Sequence, residues 1–65
     1  MSVDIEKLRK ACGGFLKTNG IRAKTVTGRR MIHAFYFGAL TQADETQHAY
    51  ISICLLCGRH EELIA

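Results

Sequence analysis

From His48 to Cys57 the chain reads His-Ala-Tyr-Ile-Ser-Ile-Cys-Leu-Leu-Cys, with no charge, glycine or proline, and Gly58 closes the run. A short uncharged stretch rich in β-branched and apolar side chains predicts a strand buried on at least one face. Ala49, Ile51, Ile53 and Leu55 would form the inward row, with Tyr50, Cys54 and Leu56 on the other side. The architecture is therefore expected to be organised around this segment.

Upstream, Ile5, Leu8, Cys12, Phe15 and Leu16 fall at helical spacing, with Ser2 or Asp4 as the N-cap. Gly13-Gly14 interrupts this stripe, and each interior glycine costs about 1 kcal/mol relative to alanine. The continuing apolar residues and the Asn19-Gly20 stop favour a helix to about Thr18, its glycines allowing close approach to a neighbour.

Ile21–Thr27 alternates, a glycine-containing turn follows at Gly28, and Met31–Leu40 is a second apolar run. Together they predict a β-hairpin. A two-residue turn at Gly28-Arg29 would pair Thr27 with Arg30. A three-residue loop, Gly28 to Arg30, would pair Thr27 with Met31 and collect Ile21, Ala23, Thr25, His33, Phe35 and Phe37 on one face. The longer loop gives the better core but poorer turn chemistry at Arg30. Thr41–Gln47 reads as a polar loop, and the tail after Gly58 as a helical turn or a short strand.

The expected fold is α+β over residues 1–65 as one domain: an N-terminal helix on a three-stranded antiparallel sheet in α-β-β-β order. One helix covers one sheet face. The other would carry Tyr36, Tyr50 and Leu56 together with Ile32, Leu40 and Cys54, too much apolar surface to leave in water. A chain of 65 residues buries only ~60% of its unfolded surface, so disulfides, a metal or a second subunit are the usual additions. A homodimer through the outer sheet face, or another protein partner there, is the expectation.

The start Met1-Ser2-Val3-Asp4 lacks the basic-then-apolar order of a secretory leader, and no apolar run approaches the ~20 residues of a membrane span. A cytoplasmic protein with reduced thiols is expected.

Of the nine Lys and Arg residues, all but Arg59 lie between Lys7 and Arg30, a stretch with no acid. Lys17, Arg22, Lys24, Arg29 and Arg30 would give the helix end and hairpin a basic side, suited to an acidic protein or to nucleic-acid phosphates. No helix-turn-helix, RNA-recognition or zinc-finger signature accompanies them.

Cys54, Cys57 and His60 form C-x2-C-x2-H, the spacing of a partial zinc site, with Cys12, His33 or His48 as the fourth ligand. On a strand, residues three apart point to opposite faces, so inert thiols are the simpler reading. A thioredoxin-like redox pair would need a helix starting at Cys54 and a longer chain. Ser52 lacks the Gly-x-Ser-x-Gly context of a nucleophile, and Gly13-Gly14 lacks the Lys-Ser or Lys-Thr of a phosphate loop. The functional expectation is a non-enzymatic interaction or regulatory module without a cofactor. Nucleic-acid binding through the basic face is the first alternative, and a zinc-stabilised domain the second.

Overall fold

The computed structural model describes residues 2–65, and among them every regular element is helical. The order is α1 (Ile5–Thr18), α2 (Val26–Ala39), a 3-10 turn (Leu40–Gln42), α3 (Glu45–Leu56) and a second 3-10 turn (His60–Leu63). The expected α+β fold, its antiparallel sheet and its hairpin are therefore replaced by three helices. Helix α1 matches the expected span and begins at Asp4, whose side chain accepts from the Lys7 N–H at 3.1 Å.

The expected strands are helices because their ends are capped as helices. Thr25 caps α2: its hydroxyl accepts from the Gly28 N–H at 3.0 Å and donates to the Arg22 carbonyl at 2.7 Å. The presumed hairpin turn at Gly28 is thus the first turn of α2. Asp44 and Gln47 form a reciprocal capping box at the start of α3, inside the segment expected to be a loop. Gln47 also donates to the Val3 carbonyl at 2.7 Å and accepts from the Val3 N–H at 2.9 Å, tying the N-terminal segment to the start of α3. Gly58 does not close a strand. It sits at φ +74° just past α3, where the Arg59 N–H returns to the Cys54 carbonyl at 2.9 Å, and Gly20 at φ +64° ends α1 the same way.

Every helix contributes to one core. Cys12 and Leu16 come from α1, Ile32 and Tyr36 from α2, and Ile51 and Cys54 from α3, with Leu63 supplied by the tail. The tail, undecided in sequence, is a 3-10 turn that seats Leu63 in this core. It also accounts for one of the paired glycines. A Cβ on Gly13 would lie 3.2 Å from both the N and the O of Ala65, whereas one on Gly14 would meet nothing. Close approach thus holds for Gly13, although the neighbour is the C-terminal tail and not a sheet. Gly14→Ala is expected to raise stability by about 1 kcal/mol through helix propensity alone, read from a denaturant midpoint at unchanged slope. Gly13→Ala should give up most of that gain by crowding the tail.

Two tyrosines tie the helices to the tail, one inside the core and one at its edge. Tyr36 is fully buried and its hydroxyl donates to the Leu63 carbonyl. Arg9 on α1 reaches the Tyr50 hydroxyl at 3.4 Å, and that hydroxyl donates to the Glu62 carbonyl at 3.3 Å. Burial pushes the Tyr36 phenol up to about 12 and raises the Tyr50, Cys12 and Cys54 groups as well. A raised acid keeps its proton in the folded chain after the unfolded chain has lost it, so unfolding is favoured as pH climbs. The stability these groups contribute should fall first as unfolded thiols ionise around pH 9, and fall further between about 10 and 12 as Tyr36 responds. The Tyr36 step is worth roughly 2–3 kcal/mol, and Tyr36→Phe should remove it from a pH series of urea midpoints.

Candidate interaction surface

Helical geometry separates the residues that a sheet would have grouped. Tyr36 belongs to the core, and Tyr50 is half-buried and tied to Arg9 and Glu62. Only Leu56 of the expected partner face stands in solvent, 86% exposed. The outer sheet face expected to carry self-association does not exist.

Another apolar surface takes its place. At 3.6 residues per turn, Val26, Arg30, His33 and Phe37 run along the outward side of α2, and all four are exposed. Ala49, Ile53 and Leu56 do the same on α3. His33, Phe37 and Leu40 line one wall of a groove whose other wall is Ser52, Leu55 and Leu56. The His33 and Phe37 rings stack at 5.3 Å, which presents a flat aromatic surface beside Leu56. Phe37 is 62% exposed and Ile53 46%. Sequence reading assigned Phe37 and Ile53 to the core because it counted in twos. The helical count of 30, 33, 37 and 49, 53, 56 was the signal that finds them.

The cationic residues expected on a hairpin instead gather around the start of α2. Arg22 and Lys24 lie in the connection from α1, Arg29 and Arg30 in the first turns of α2, and all are exposed. Gly28 makes this arrangement compact: its Cα faces the Arg22 carbonyl so closely that a Cβ would overlap it and stand 2.9 Å from the Ala23 Cα. Ion pairs among the described residues are Arg9–Glu6 at 3.5 Å and Arg59–Glu62 at 3.8 Å, so Lys17, Arg22, Lys24, Arg29 and Arg30 have none. No acid occupies the first turn of α2, and cations there oppose the helix dipole. Lys17, at the last turn of α1, is placed where the dipole favours it.

The C-x2-C-x2-H residues do not converge. Cys54 is buried with its thiol 3.6 Å from a Glu62 carboxylate oxygen, Cys57 is exposed at the end of α3, and His60 is buried in the tail. Among the described residues no three His, Cys, Asp or Glu side chains stand together in a group that could hold a metal ion. Ser52 Oγ lies 3.4 Å from His48 Nδ1 on the surface of α3. In mid-helix the neighbouring backbone N–H groups are engaged within the helix, so this pair has no oxyanion donors beside it. Among the described residues no helix is long and apolar enough to cross a membrane.

No protein-family model matches the chain, and no curated protein or solved structure matches it either.

Proposed function

We propose that the chain is a small helical interaction module that works by binding a protein through the outward face of α2 and α3. The observation that carries this reading is α3 itself. A surface helix ordinarily divides into an apolar and a polar side. Helix α3 is apolar on both, with Ile51 and Cys54 in the core and Ile53 and Leu56 facing water. Phe37 of α2 extends the same patch. Contiguous exposed apolar surface of this kind marks interaction sites.

A face kept for binding contributes little to the isolated chain. Phe37→Ser/Leu56→Ser, unfolded by urea at high dilution, should stay within about 0.5 kcal/mol of wild type. A loss of about 2 kcal/mol or more would show that these side chains are packed within the chain, and would end this reading.

The cations around the start of α2 favour a second reading, contact with nucleic-acid phosphates. Unpaired like charges set against a helix dipole cost stability unless an anion meets them. Fluorescence anisotropy with labelled generic duplex and single-stranded DNA tests it. The reading expects binding that weakens steeply with salt and is lost in Arg22→Gln/Lys24→Gln/Arg29→Gln. No binding at low salt removes it.

A further inference from the structure

We propose that the occupant of the α2–α3 face is a second copy of this chain, docked about a two-fold axis. The inference rests on the interaction reading above and names its partner. The face is apolar in the middle and oppositely charged at its ends. On α2, Arg30 continues the exposed stripe of His33 and Phe37, and on α3, Glu45 continues the exposed stripe of Ala49 and Leu56. Among the described residues neither Arg30 nor Glu45 has an ion-pair partner.

The two charges mark different ends. Glu45 comes three residues after the short turn that leaves α2, which keeps it near the C-terminal end of that helix. Leu56, at the far end of α3, lies instead against His33 and Phe37 in the groove. Arg30 sits one turn before His33, beyond the apolar middle on the other side.

A two-fold interface is self-complementary: if residue i of one copy meets j of the other, j also meets i. Rotation about an axis through the Phe37–Leu56 middle sets each Arg30 against the other copy's Glu45, so both unpaired charges are met twice. A partner that is not this chain would have to reproduce the same order of base, apolar centre and acid. Docked this way, Leu56, Ile53 and Phe37 leave water, and the cluster at Arg22, Lys24 and Arg29 stays at the outer end of each copy.

Sedimentation equilibrium over a dilution series of the full chain, with helix content followed by circular dichroism, tests the proposal. Wild type should move from twice 7.3 kDa towards 7.3 kDa on dilution. Leu56→Glu should raise the dissociation constant about 100-fold or more while leaving the helices intact. Arg30→Glu and Glu45→Arg should each weaken the dimer about 5- to 10-fold, and the two together should restore it. The proposal is overturned by a wild-type monomer at about 1 mM chain, by a dimer indifferent to Leu56→Glu, or by a double swap that fails to rescue. A wild-type monomer whose Phe37→Ser/Leu56→Ser variant keeps its stability removes the second copy and leaves the interaction reading standing. A destabilised variant removes that reading itself.

Discussion

Tyr36→Ala is expected to leave the chain largely unfolded at room temperature, its far-UV helical signal lost without any denaturant. The ring is the largest side chain fully enclosed in the core, and its hydroxyl is the partner of the Leu63 carbonyl. Removing a buried aromatic ring costs about 3–5 kcal/mol, against a stability of only roughly 3–5 kcal/mol for a core of this size. Tyr36→Phe isolates the polar part. It keeps the ring, orphans the carbonyl, and should cost about 1–2 kcal/mol. If Tyr36→Ala melted like wild type, the core described above would be wrong.

Gly28→Ala is the second large effect. A methyl group there runs into the backbone of Arg22 and Ala23, not into a flexible side chain. Either the connection between α1 and α2 lifts off or the first turn of α2 unwinds, and Thr25 loses its cap to the Gly28 N–H in both cases. The expected loss is about 3 kcal/mol, the upper range of overpacking with a cap added. Gly14→Ala, in the interior of α1, goes the other way, so the pair separates close approach from helix propensity within one chain. Equal effects at the two glycines would contradict the fold.

These residues also show how much of the structure was legible. Helix α1 was readable because its apolar spacing, Asp4 cap and Asn19-Gly20 stop agree with one another. Helix α3 was not, because a run apolar on all sides satisfies the alternation of a strand and the stripe of a helix equally well. Ile51 and Ile53 tipped it towards β on propensity, which tertiary context overrides. The decisive marks lay at its ends: Asp44-x-x-Gln47 is a capping-box pattern, and Gly58 is a helix stop as readily as a strand stop.

Helix α2 was obscured differently. Its buried row is Gly28, Ile32 and Tyr36, and a glycine kept for close approach contributes nothing to an apolar pattern. Once the period was taken as two, Tyr36 moved outward and Phe37 inward, the reverse of what the helix does. The basic residues stand on the surface in either reading, whereas Leu56, grouped by alternation with Tyr50 and Cys54, is exposed without them. The inference that apolar surface remains uncovered survives the change of fold; its location does not.

One measurement bears on both halves of the account, the helix at Glu45–Leu56 and the use of its outer side. Backbone NMR of the chain at high and low concentration should give helical carbon shifts from Glu45 to Leu56. Signals of His33, Phe37, Ala49, Ile53 and Leu56 should move on dilution, while those of Cys12, Gly13 and Leu63 hold still. Extended-chain shifts across Ile51–Leu55, or dilution changes centred on Tyr36 or Tyr50, would contradict it.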